Sequence, residues 1–190
     1  AAIAKNVETA HSLRVIRCVG REGLGPTEVI TLGHNFRMSE LEAALGVLQL
    51  KITNKVIENR RKIADYYSKQ ISKMSGIYPQ KIMPGNKSSF YAFIIRLDED
   101  ILDINRDNLR MILLKRYGIE TTILYKPIHM HKYYREVFKQ PYNLRNAELL
   151  GKTTLALPIY GHMTMNEAEY VINALKASIM MQSQKKNRSI

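Results

Sequence analysis

The sequence predicts a mixed α/β chain whose larger part is a small α+β layer domain. Three observations carry this expectation. Leu41, Ala44, Leu45, Leu48 and Ile52 recur at the i, i+3, i+4, i+7 spacing of one buried helical face. The run Phe90-Tyr91-Ala92-Phe93-Ile94-Ile95 is apolar throughout, as a strand covered on both faces is. Turn-forming residues then separate strand, helix, strand and a terminal amphipathic helix.

Taken in order, residues 1–5 read as a short strand and 7–19 as a helix with Ala10, Leu13 and Ile16 inward. Gly20 to Pro26, with Gly23 and Gly25, is a loop, and Glu28 to Leu32 an extended stretch. Ser39 with Glu42 forms a capping box, the hydroxyl taking an orphan N–H and the carboxylate reaching back. Two helices follow, over 39–51 and 53–75, the second burying Val56, Ile63, Tyr67, Ile71 and Met74 until Gly76 stops it. Pro79 to Asn86 is a loop with room for a short strand, and Ser88 to Leu97 is the central strand. Asn105 to Tyr117 is a helix with Gly118 as its C-cap, and Ile119 to Leu124 a β-branched strand. A loop-rich stretch over 125–142 and a helix near 143–152 lead to Thr153–Leu157. Thr164 and Glu167 make a second capping box, opening a helix with Ala168, Val171, Ile172, Leu175 and Ile179 inward. The seam between two parts is expected near residue 52.

Composition narrows the function classes. The 190 residues are 45% hydrophobic and 24% charged, with no apolar run near the ~18 residues of a membrane helix. Cys18 stands alone, which rules out an internal disulfide and favours a cytoplasmic location. Lys and Arg outnumber acids by 29 to 17, a net charge of +12 that on its own would suggest a polyanion partner. The distribution suggests a solvated helix face (Lys51, Lys55, Arg60, Arg61, Lys62, Lys69, Lys73) and a disordered tail (Lys185, Lys186, Arg188). Arg-aromatic interleaving and helix-turn-helix punctuation are missing, so a basic nucleic-acid-binding module is the weaker alternative. His129 and His131, two apart with no acid or Cys beside them, make a poor metal site. Nucleophile-elbow, phosphate-loop and dinucleotide patterns are absent.

Two stretches concentrate chemistry. Gly33-His34-Asn35-Phe36-Arg37-Met38 packs a bend, an imidazole, an amide and a guanidinium directly before a capped helix. Two roles are open to Asn35: donating its amide to an anion, or turning its own loop. Arg37 either clamps a phosphate or carboxylate, is a surface arginine, or pairs with Glu40. Tyr125-Lys126-Pro127-Ile128-His129 follows a strand, where α/β proteins display ligand-binding groups, and Pro127 stiffens it. Lys126 would add charge, Tyr125 a ring and a hydroxyl, and His129 an imidazole; the alternative for His129 is an ordinary surface histidine. Tyr91 is either a site residue or a core tyrosine with a satisfied hydroxyl.

The Gly33–Leu41 run, with Ala43-Ala44-Leu45-Gly46 and Gln49-Leu50, resembles the Gly-Tyr-Asn-Phe-Arg-Met segment of the DegT/DnrJ/EryC1/StrS sugar aminotransferases. These are pyridoxal-phosphate (PLP) enzymes of the aspartate-aminotransferase fold, type I. Tyr125–His129 resembles that family's aromatic-Lys-Pro-x-His loop, and Leu157-Pro158-Ile159-Tyr160 with Met163-Thr164 its closing segment. His34 stands where the family usually has Tyr or Phe, and His131-Lys132 departs from the commoner Gln-Pro.

The resemblance implies the C-terminal part of such an enzyme. Residues 1–52 would be a remnant of the large domain with a cofactor-contacting loop at 33–38. Residues 53–182 would be the small domain, a small mixed sheet packed by helices, and 183–190 a basic tail. It further implies that Asn35 donates to the PLP phosphate of the neighbouring subunit, in a homodimer that shares its sites. His34, Arg37, Tyr125, Lys126 and His129 would face the substrate, a keto-sugar on a nucleotide, with glutamate as amino donor in amino-sugar or polysaccharide biosynthesis. In that family the lysine forming the Schiff base lies just upstream of a Gly-Gly step. The chain is expected to begin after that step and to be inactive alone; a non-catalytic binding or regulatory relative is the other class.

Overall fold

The computed structural model describes residues 2–23, 28–139 and 143–187, with side chains described as far as Met181. Gly25 and Pro26 of the expected first loop, Gln140–Tyr142 of the second and Arg188 of the tail lie outside the described residues. The chain divides into two compact units, Ala1–Ile52 and Thr53–Ile190.

Unit one contains α1 (Val7–Arg17), whose N-cap Asn6 accepts from Thr9 N–H at 2.7 Å. Val15 is its buried residue; Leu13 and Ile16, expected inward, are each 38% exposed. Residues 2–5 form no strand, since extended backbone needs a paired neighbour to be stable. The capping box of Ser39 and Glu42 forms as its spacing predicts. The Glu42 carboxylate accepts from Ser39 N–H at 2.8 Å, and Ser39 Oγ accepts from Glu42 N–H at 3.3 Å. It opens α2 (Glu40–Ile71), one continuous helix rather than the two expected. Thr53 and Asn54 carry only a weak propensity penalty, and without Gly or Pro nothing there interrupts the ladder. The expected inward face of its first turns is open instead: Leu41, Leu45, Leu48 and Ile52 are all about half exposed or more. A segment of this size, made of α1, loops and the first turns of α2, encloses little core of its own.

Unit two holds the core. From Ile63 onward α2 buries Ile63, Ala64, Tyr67 and Ile71. Gly76, at φ +76°, turns the chain where a Cβ would meet the Leu102 side chain. Strands β1 (Ile77–Pro79), β2 (Phe93–Leu97) and β3 (Thr154–Leu157) form one sheet in that order, paired antiparallel throughout. Gln80 lengthens the first pairing, its N–H donating to Ile94 O at 3.0 Å and its side-chain oxygen accepting from Ile94 N–H at 2.8 Å. The central strand is shorter than its apolar run. Phe90 takes a left-handed φ of +46°, and its N–H donates to Ser88 Oγ at 3.0 Å, so residues 88–92 turn instead of pairing. The expected strand at 119–124 reduces to one bridge, Thr122 with Ala156, before Pro127 ends any ladder.

Helix α3 (Arg106–Tyr117) is bounded as expected, with Asn105 as N-cap and Gly118 left-handed at φ +64°. The loop-rich stretch carries a 3-10 turn at Ile128–Met130 and a short helix, α4 (Lys132–Phe138). Helix α5 (Arg145–Thr153) follows, and α6 (Met165–Asn187) closes the unit, packed on α3. The latter buries Ala168, Val171, Ile172 and Leu175 on one face and remains helical through residues 183–187, where an unstructured tail was expected. Two of the basic residues assigned to a solvated face are half-buried. Arg61 Nε donates to Ser88 O at 2.9 Å, and Arg60 Nε is buried with no partner among the described residues.

Tyr67 joins these layers. Its ring meets Phe93 edge-on at 5.1 Å, and its hydroxyl donates to Pro158 O at 3.0 Å, where the chain leaves β3. Tyr67→Phe should therefore cost about 1–3 kcal/mol in chemical denaturation, because it leaves a half-buried carbonyl without its donor. A second expectation concerns α6. Thr164 N–H, then the Thr164 and Tyr160 hydroxyls, hold the Glu167 carboxyl below the usual range. A lowered folded pKa stabilises above the unfolded value and is lost as pH falls through the folded one. Melting curves of wild type and Glu167→Ala should differ at neutral pH and converge as the pH drops below the ordinary glutamate range.

Candidate functional site

In unit one the backbone of residues 33–36 is laid against the end of α1. His34 N–H donates to Ile16 O at 2.9 Å, Phe36 N–H to Arg17 O at 3.0 Å, and Val19 N–H to His34 O at 3.1 Å. Two glycines make this approach possible. A Cβ on Gly33 would run into the Gly20 backbone, and one on Gly20, at φ +75°, into the Thr31 carbonyl. The His34 ring stacks on Phe36 at 5.1 Å, so it is engaged within its own loop. Arg37 Nε donates to Asn35 Oδ1 at 3.0 Å, a partner other than the Glu40 that was one alternative for it. The result is directional: with Oδ1 taken, the Asn35 amide presents Nδ2, and Arg37 presents the rest of its guanidinium, both on an exposed loop. Five residues on from Arg37, the Glu42 carboxyl is held below its usual range by Ser39 N–H and then by the Ser39 hydroxyl, which fixes the loop's exit.

In unit two the second motif leaves the Thr122 bridge and turns at Pro127. Tyr125 is 69% exposed and Lys126 is exposed as well. His131 Nε2 lies 3.2 Å from Lys126 O and closes the turn on itself. His129 is no ordinary surface histidine. Its side chain is 12% exposed, and Nε2 lies 3.1 Å from Glu148 Oε1 on α5. The same oxygen accepts from Leu144 N–H at 3.2 Å. The hydrogen bond from His129, and next that from Leu144, holds the Glu148 carboxyl below its usual range. One turn along α5, Gly151 faces Pro127 so closely that a Cβ there would run into the proline ring. Tyr91 is 75% exposed, which sets aside the core-tyrosine reading. It borders a hollow of about 390 Å³ with Arg60, Glu120, Thr122 and Tyr160.

The structure thus brings Asn35 to Arg37 and stacks His34 beside them, and separately gathers Tyr125, Lys126 and His129 on one turn. Sequence reasoning missed Glu148 and Gly151, whose three-residue spacing puts them on one face of α5. An acid in the first turn of a helix just after the motif was the available signal. Arg60, Glu120 and Tyr160 were also missed; no local pattern marks them. Among the described residues no group of three His, Cys, Asp or Glu is placed to hold a metal ion, and no helix is long and apolar enough to cross a membrane.

Comparison with known proteins bears on what such an arrangement serves. UDP-4-amino-4,6-dideoxy-N-acetyl-beta-L-altrosamine transaminase of Campylobacter jejuni is 27% identical over 92% of this chain and 46% of its own length. The aminotransferase TlmJ of Streptoalloteichus hindustanus superposes with a TM-score of 0.83 at 26% identity, over 94% of this chain and 47% of that one. The Streptococcus pneumoniae protein Spr1654, solved in a PLP-form, shares the fold with a TM-score of 0.78 at 20% identity, over 96% and 46%. The chain spans 39% to 47% of the length of the first curated relatives it matches. Residues 1–176 match the DegT/DnrJ/EryC1/StrS aminotransferase family, whose members use pyridoxal phosphate, and the chain belongs to that family.

Proposed function

We propose that this chain is the C-terminal part of a PLP-dependent nucleotide-sugar aminotransferase. The enzyme would move an amino group from glutamate to a keto-sugar carried on a nucleoside diphosphate, in cytoplasmic amino-sugar or polysaccharide biosynthesis. One observation carries the reading: the exposed Asn35–Arg37 pair, on a loop locked by Gly20 and Gly33, in a chain that belongs to this family.

The donor set suits the group it would hold. A phosphate dianion takes several N–H donors, and one subunit often supplies too few. Asn35 Nδ2 and the outer edge of Arg37 point two kinds of donor from a single loop, with Asn35 Oδ1 already satisfied. In this reading residues 1–52 belong to the large domain, and Asn35 binds the cofactor phosphate of the neighbouring protomer in a homodimer. Pyridoxal phosphate, when bound, supplies the electron sink for the transfer. Arg37 and His34 border the substrate beside it. On the small domain, residues 53–182, Lys126 offers its charge to the diphosphate, Tyr125 its ring and hydroxyl, and His129 the edge of its imidazole that Glu148 leaves open. The cofactor-bearing lysine lies in a part of the enzyme outside this chain, so no residue here is assigned as catalytic and the chain alone does not turn over.

The trans role of Asn35 gives a direct test in the intact enzyme. Combine protomers carrying Asn35→Ala with protomers lacking the cofactor lysine. Each population alone should be nearly inactive, whereas mixed dimers should regain wild-type turnover at one of their two sites, because isologous pairing reunites an intact lysine with an intact Asn35. No recovery in verified mixed dimers would show that Asn35 acts within its own protomer or not on the cofactor at all.

A further inference from the structure

We propose that Glu148 is a positioning residue that holds the His129 imidazole by its Nε2 edge and leaves Nδ1 as the edge offered to a ligand, a sugar hydroxyl. The ligand half of this statement rests on the functional reading above; the positioning half stands on geometry alone.

The geometry is over-determined. Glu148 Oε1 is within hydrogen-bond reach of His129 Nε2, 3.1 Å away, and accepts from Leu144 N–H at 3.2 Å, so the carboxylate is itself anchored at the start of α5. One turn further, Gly151 admits Pro127 against the helix, and a side chain there would push the turn away. The far end of α5 is tied down by Arg106, whose Nη1 donates to Gly151 O at 3.1 Å and Thr154 O at 3.3 Å. Arg106 itself is 9% exposed. Both contacts to the motif turn therefore come from one helix face whose axial position is fixed at each end.

Chemistry decides what the ring can then do. An ionised carboxylate only accepts, so Nε2 must carry the proton, and in the neutral ring the lone pair is on Nδ1. A lone pair takes a hydroxyl proton and repels a phosphate oxygen, which assigns His129 to the sugar and leaves the diphosphate to Lys126. The enclosure of the ring, 12% exposed, restricts the alternative rotamers that would blur this assignment.

Nitrogen-15 NMR of histidine-labelled chain, with His129 assigned through His129→Gln, reads the tautomer directly. Wild type should show a protonated Nε2 and an unprotonated Nδ1 at a pH where the ring is neutral. Glu148→Gln should retain this pattern, since its amide oxygen still accepts. Glu148→Ala should move both nitrogens toward the averaged values of a freely exchanging ring. A neutral wild-type ring protonated on Nδ1, or an unchanged pattern in Glu148→Ala, would each overturn the positioning role. In the intact enzyme, His129→Ala and Glu148→Ala should each raise KM for the keto-sugar nucleotide by about fivefold to tenfold, the worth of one hydrogen bond. The double variant should be no worse than either single one. A fixed tautomer with an unmoved KM in His129→Ala would keep the positioning role and overturn the substrate assignment instead.

Discussion

Unit two is organised around one phenol. Tyr67 is fully buried on α2, its ring against Phe93 in the middle strand and its hydroxyl on the Pro158 carbonyl just past β3. That single side chain ties a helix, a strand and the exit of a second strand, so burial and a hydrogen bond act at the same point. Burial pushes the phenol pKa up, which keeps the hydroxyl protonated as a donor at neutral pH. Close by, Asn59 Nδ2 donates to both Gly161 O and Met163 O, and Gly161 lets Val56 approach where no Cβ would fit. The turn from Pro158 to Met163 is thereby set before the Thr164 cap starts α6. On the other side of β3, Ala156 pairs with Thr122, and that bridge hands the chain to Tyr125 and Lys126. The motif turn inherits its placement from the core through β3.

What the sequence made legible was local. Capping boxes at Ser39–Glu42 and Thr164–Glu167, the N-cap at Asn105 and the left-handed Gly118 all depend on residues within one helical turn, and all are found. The inward face of α6 was legible too, because helical periodicity and burial agree along it. Features decided by tertiary context were not. The apolar run at Phe90–Ile95 gives no warning that Phe90 adopts a left-handed backbone, two residues after a Ser88 carbonyl that accepts from Arg61, 27 residues away in sequence. The β-branched stretch at 119–124 has the propensity of a strand and finds one bridge. The apolar stripe at the start of α2 has the spacing of a buried face, yet nothing among the described residues encloses it.

Site chemistry divides in the same way. The composition of 33–38 marks a donor loop, and the two glycines that lock it were noticed only as bend and loop residues. That Arg37 chooses Asn35 over Glu40 is a matter of loop geometry: Asn35 is two residues back on the same extended stretch, whereas Glu40 has already entered the helix. The role of Glu148 was not legible because its partner lies 19 residues away, across a loop of unpredictable path. A carboxylate in the first turn of a helix reads equally well as a response to the helix dipole, and no spacing rule tells that reading from a grip on an imidazole.

The two motif loops gain their order by different physics. In unit one Val15 is the buried apolar residue, so the 33–36 backbone is held by hydrogen bonds to α1 and by the contact between Gly20 and Gly33. Each such bond contributes only about 1 kcal/mol net, against a similar entropy cost per residue ordered. The loop therefore holds its shape only while every element of that arrangement is present, and a methyl group at either glycine removes several at once. In unit two the turn at 127–130 is clamped by α5, which is braced in turn by Arg106. There the imidazole borrows its rigidity from packing, which tolerates conservative change in the exposed Tyr125 and Lys126 but none in the spacing between Glu148 and Gly151. Shifting either by one position would rotate it about 100° around α5 and away from the turn it holds.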